Sequence, residues 1–124
     1  MTIKEVSEKY NITADTLRYY ERAGMIPPVT RDANGIRNYT EEDLKWVELA
    51  ICMRSAGLPV EALAEYVSLF QQGDSTIPAR LQLLTEQRQT LLNQRKQIEE
   101  TLARLDQKIA RYDVAMETGV LSWK

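Results

Sequence analysis

A chain of 124 residues is one domain, or one domain with an appendage, and 44% apolar with 27% charged residues is a soluble composition. No run approaches a membrane span and no apolar N-terminal core marks a signal peptide, so the expected location is the cytoplasm. The chain has no histidine and one cysteine, Cys52, and its net charge is −2. Those counts remove the commonest general base, any internal disulfide and any multi-cysteine zinc site, and they do not announce a nucleic-acid binder.

Charge is nevertheless uneven. Residues 1–39 carry six Lys/Arg against five Asp/Glu, and residues 40–70 carry two against six. The chain opens on a capping-box pattern, in which Thr2 caps an early amide and Glu5 reaches back. A short helix follows with Ile3, Val6 and Tyr10 on one face, broken by a turn at Asn11-Ile12. Thr13 caps a second helix that runs to about Ala23, with Gly24 as its stop. Two short helices joined by a tight turn fit a helix-turn-helix.

Pro27-Pro28 then forbids helix, and Asn34-Gly35 is a hairpin-turn signal. Val29-Thr30 and Arg37-Asn38-Tyr39 are the expected short strands of a small β-wing. Thr40 caps a third helix whose first turn holds Glu41, Glu42 and Asp43, as the helix dipole prefers. That helix ends at Gly57. Pro59 is expected at the first position of a fourth, with Val60, Leu63, Ala64 and Val67 as its apolar stripe and Gly73 as its stop.

From residue 77 to 116 one heptad register holds. Its d positions are Ile77, Leu84, Leu91, Ile98, Leu105 and Tyr112, and its a positions are Leu81, Arg88, Arg95, Leu102, Ile109 and Met116. This is a coiled-coil pattern, and its economical partner is the same segment of a second copy. The alternative is a long strut packed on its own head. The division expected is a head over residues 1–73, a dimerisation helix over 75–118 and a short tail over 119–124.

On the second helix, Leu17 marks the inward face with Ala14 and Tyr20 beside it. At about 100° per residue, Asp15, Arg18, Tyr19 and Arg22 point away from it. Two arginines and an aromatic hydroxyl suit phosphate contact and groove-edge hydrogen bonding. Arg31, Arg37 and Tyr39 of the wing add a second set. Each alone reads as a solvated arginine or a core tyrosine; together, on adjoining elements, they point to DNA.

The segments Thr16-Leu17-Arg18-Tyr19-Tyr20-Glu21, Gly24-Met25-Ile26-Pro27, Arg31, Gly35-Ile36-Arg37-Asn38-Tyr39 and Arg54-Ser55-Ala56-Gly57-Leu58-Pro59 together resemble the MerR family of bacterial transcription regulators. The resemblance covers the whole chain in order and spacing. It implies an all-α fold with a small β-wing, a winged helix-turn-helix head followed by a long helix that dimerises as an antiparallel coiled coil. It further implies promoter DNA with an overlong spacer as partner, bent and untwisted so that RNA polymerase engages both promoter elements. Carried over by position, the DNA contacts are Thr16, Arg18, Tyr19, Arg22, Arg31, Arg37 and Tyr39.

The chain ends soon after the long helix, so no separate ligand-binding domain and no paired metal-sensing cysteines are expected, and no cofactor. The resemblance is to the single-cysteine branch that responds to aldehydes, electrophiles or nitrosative stress, which makes Cys52 the candidate thiol. Cys52 sits near a helix C-terminus one turn after Glu48, which disfavours a thiolate, and free cysteines are commonly buried. A reactive and a structural thiol therefore both stay open. A ligand held at the dimer seam by Trp123, Tyr66 or Phe70 is the other route to a signal. A protein-interaction module without DNA binding is a further alternative, and an enzyme is the weakest.

Overall fold

The computed structural model describes residues 1–121; Trp123 lies outside them. Its elements are helices α1 (Ile3–Tyr10), α2 (Ala14–Arg22), α3 (Glu41–Ser55), α4 (Val60–Gln71) and α5 (Ile77–Thr118), with one 3₁₀ turn at Asp74–Thr76. Among the described residues there is no helix long and apolar enough to cross a membrane.

Local chemistry starts and stops these helices. Thr2 and Glu5 form a reciprocal capping box on α1, and Thr40 and Asp43 form another on α3. Thr13 caps α2 by accepting from the Thr16 amide. Asn11, at φ 53°, ends α1 in the left-handed region that Asn tolerates. Gly24, at φ 77°, ends α2, and the Met25 amide donates back to the Tyr20 carbonyl at 2.9 Å. That 6→1 bond turns the chain off the helix at once. Pro59 stands just before α4 as its cap, one position earlier than expected, because its fixed φ suits the entry while Val60 begins the helical run.

The head packs on Val6, Leu17, Tyr20, Met25, Ile26, Val29, Tyr39, Val47, Ala50 and Leu63. Tyr10 donates to the Glu48 carboxylate at 2.7 Å and ties α1 to α3; burial and that carboxylate push its phenol up to about 12.

The chain divides into two compact units, Met1–Gln87 and the residues from Arg88 onward. The cause is Leu83, the one buried residue described in α5. It lies with Met53, Leu58, Leu63 and Tyr66 around a small apolar cavity, so the beginning of α5 belongs to the head. In the second unit Ile98, Leu102, Leu105, Ile109, Tyr112 and Met116 are all exposed within the single chain. Leu91 is half-buried. In the first unit the seam positions Ile77, Leu81 and Leu84 are also exposed.

Leu17 is fully buried beneath α2. Leu17→Ala is expected to cost about 2–5 kcal/mol in urea unfolding, from lost transfer energy and a residual cavity.

Candidate nucleic-acid interface

Two elements meet at the candidate surface, α2 and the loop between Gly24 and Thr40. Leu17 and Tyr20 anchor α2 inward, which leaves Asp15, Arg18, Tyr19 and Arg22 exposed on the opposite side. Arg18 Nη1 lies 2.8 Å from Asp15 Oδ1, and the Arg22 guanidinium sits over the Tyr19 ring at 5.5 Å. Thr16 is half-buried, and its hydroxyl pairs with that of Thr13 at 2.8 Å.

The expected strands of the wing do not form. A single antiparallel bridge joins Arg31 to Arg37, and no sheet is present among the described residues. Side chains have taken the donors a ladder needs. The Val29 amide goes to Glu21, the Thr30 amide to Asp43, and the Asn34 and Ile36 amides to Asp32 Oδ1. Two backbone bonds close the loop around Gly35, from Asp32 N to Ile36 O and from Asn38 N to Thr30 O.

Glu21, at the end of α2, is the residue that joins the two elements. Its carboxylate accepts from the Val29 amide at 2.9 Å and from Arg37 Nε at 2.7 Å, and Arg31 Nη2 lies 3.8 Å away. Burial pushes the Glu21 carboxyl up, but the bonds from Arg37 and Val29 and the charges of Arg37 and Arg31 outweigh it. The result lies below the ordinary value of 4.5. Arg31 also donates to the Gly35 carbonyl at 3.0 Å, so both loop arginines are held at defined places. Sequence reasoning placed Glu21 in a motif but gave it no role; an acid one turn after Leu17, on the inward side of α2, was the available signal. It also passed over Ile36, which stands 61% exposed between the two arginines.

Tyr39 does not join this surface. It is 2% exposed, part of the head core, and its hydroxyl has no hydrogen-bond partner. The aromatic ring gains more from the core beneath the loop than a place on its rim offers, because a tyrosine carries a large apolar area.

Cys52 lies in the last turns of α3 and is exposed within the single chain. It stands about 200° round the helix from the buried Ala50. Elsewhere on the head, Trp46 meets Phe70 edge-on at 5.0 Å and Tyr66 at 6.0 Å, and Arg80 covers the Phe70 ring. These three aromatics line an open groove of about 830 Å³ with Glu41, Glu42 and Lys45.

Residues 1–69 match the model of the MerR HTH family of regulatory proteins. The HTH-type transcriptional regulator AdhR of Bacillus subtilis is 55% identical over 92 residues, which are 74% of this chain and 66% of that protein. A Listeria monocytogenes structure described as a MerR family transcriptional regulator superposes at TM-score 0.90 with 46% identity, covering 96% of this chain and 90% of that one. The crystal structure of HiNmlR, a MerR family regulator lacking the sensor domain, bound to promoter DNA, superposes at 0.86 with 33% identity, over 95% and 94% of the two chains.

Because the folded Glu21 carboxyl is lowered, its stabilisation is full above the unfolded value of 4.5 and is lost as pH falls through the folded value. Glu21→Gln is expected to lower unfolding stability by about 1.5–3 kcal/mol at pH 7, the range for bonds to a charged group. The difference from wild type is expected to shrink steadily below pH 4.5 in acid-dependent urea melts.

Proposed function

The chain belongs to the MerR HTH family of regulatory proteins, and on that premise we propose that it is a homodimeric regulator that binds and distorts promoter DNA. The observation that carries this reading is the Glu21 junction. It holds Arg31 and Arg37 against the end of α2, the helix that exposes Arg18, Tyr19 and Arg22, on a chain whose net charge is −2. In this reading α2 enters the major groove and the loop after it, in place of a stranded wing, follows the flanking backbone. Thr16, Arg18, Tyr19, Arg22, Arg31 and Arg37 are the contacts.

The second copy supplies what α5 lacks. The exposed apolar positions Ile98, Leu102, Leu105, Ile109, Tyr112 and Met116 suit an antiparallel coiled coil with a second α5. A dimer fixes the separation of two heads, so an overlong promoter spacer is accommodated by bending and untwisting the duplex, and RNA polymerase then engages both promoter elements. Bending costs several kcal/mol, which contacts on both half-sites offset.

For the signal, the exposed Cys52 suits an aldehyde, electrophile or oxidant that adds to a thiol. The groove lined by Trp46, Tyr66 and Phe70 favours a second reading, a small flat ligand held there while Cys52 plays no part.

Specific gel retention is expected on DNA upstream of the chain's own coding region. In transcription assays from that promoter, an aldehyde is expected to raise output for wild type and not for Cys52→Ala. Equal induction of both proteins removes the thiol, and loss of induction in Phe70→Ala alone supports the groove. Leu102→Lys is expected to shift the chain to a monomer in sedimentation and to weaken DNA retention at least tenfold, through loss of the second half-site.

A further inference from the structure

We propose that Asp15 and Arg18 form one reading unit, a specificity-determining pair that recognises a G·C base pair in the major groove. The inference rests on the reading of α2 as the DNA-facing helix. Arg18 donates to the guanine edge, and Asp15 accepts from the cytosine amine.

Both residues lie in the first half of α2, where a recognition helix reaches base edges. The Asp15 side chain is 94% exposed and that of Arg18 45%, and one contact of 2.8 Å joins Nη1 to Oδ1. An exposed pair of this kind adds little to helix stability. Its effect is on what the surface offers. A guanidinium with a carboxylate at its side carries almost no net charge, and the exposed carboxylate repels a phosphate. The pair is therefore poorly suited to the DNA backbone, although an isolated arginine suits it well.

Base edges present a different pattern. Across the major groove a G·C pair offers two adjacent acceptors, guanine N7 and O6, followed by a donor, the cytosine N4 amine. Arg18 retains Nε and Nη2 as free donors in a fixed fork, and Asp15 retains Oδ2 as an acceptor beside it. Donor, donor, acceptor on the protein meets acceptor, acceptor, donor on the base pair. An A·T pair places its N6 donor between two acceptors, so the second N–H of the fork faces another donor. The salt bridge fixes the two side chains in this order, which a flexible arginine alone does not do.

Selection from a randomised duplex library by the full-length chain tests the pairing. Wild type is expected to enrich a motif with one G·C-constrained position in each half-site, preferred about tenfold over A·T. Asp15→Ala is expected to keep the rest of the motif, lose most of that preference and bind unrelated duplex more tightly. Arg18→Ala is expected to lose the same position while its salt slope stays at the wild-type value, since a neutralised arginine releases no phosphate counterion. A slope shallower by about 0.9 makes Arg18 a phosphate contact and overturns the pairing. An unchanged motif in Asp15→Ala overturns it as well. A wild-type chain that enriches no sequence overturns the regulator reading itself, a result distinct from either.

Discussion

The Glu21 carboxylate holds α2 and the loop that follows it as a single surface. Three groups converge on it: the Val29 amide at the start of the loop, Arg37 on its return, and Arg31 between them. Burying a carboxylate is costly, and here the cost is offset by two hydrogen bonds, one from a cation, and by a second cation nearby. Without this junction the loop is defined by the two backbone bonds of the Arg31–Arg37 bridge, the Gly35 amide to Asp32 carbonyl turn bond, and side-chain bonds to Asp32 and Asp43. Asp43 repeats the device from the other side. It accepts from Thr30 and Thr40 and so fixes both the outgoing strand of the loop and the start of α3. Two acids from flanking helices do the work that a β-ladder does in a stranded wing.

The long helix has two characters. Its opening turns are committed to the head through Leu83, which is off the heptad seam, while the seam residues Ile77, Leu81 and Leu84 stay exposed. Beyond Arg88 the stripe positions Ile98, Leu102, Leu105, Ile109, Tyr112 and Met116 are exposed within the single chain. Their heptad spacing makes one continuous apolar seam, the surface on which the proposed second α5 packs.

Much of this was legible in the sequence, because short-range chemistry governs it. The caps at Thr2, Thr13 and Thr40 and the stop at Gly24 set helix ends within a residue or two. What was not legible depended on contacts between distant residues. The alternation of Val29-Thr30 with Arg37-Tyr39 looked like strands, but no periodicity shows that Glu21, Asp32 and Asp43 claim the loop amides. Tyr39 read as a rim residue because it closes the expected wing segment Arg37-Asn38-Tyr39, and only the packing of Val6, Leu17 and Val47 shows it to be core. Leu83 was hidden by the stronger heptad signal of its neighbour Leu84. The exposure of Cys52 was open from the residues alone, because the face of α3 it occupies is set by the packing of Val47 and Ala50.

The ion pairs also bear on how a chain of net charge −2 can discriminate among DNA sequences. Three of the four arginines on the proposed surface have carboxylate partners: Arg18 with Asp15, and Arg31 and Arg37 with Glu21. The fourth, Arg22, stacks on Tyr19. Such a surface attracts a polyanion weakly at long range, because three of its four cations are screened by an acid at their side. The same acids fix where the guanidinium groups point. Non-specific affinity, which grows with uncompensated positive charge, is thereby held down, while geometric fit to one arrangement of phosphates and base edges is kept. A regulator that must find one promoter among many competing sites gains from that ratio more than from raw affinity.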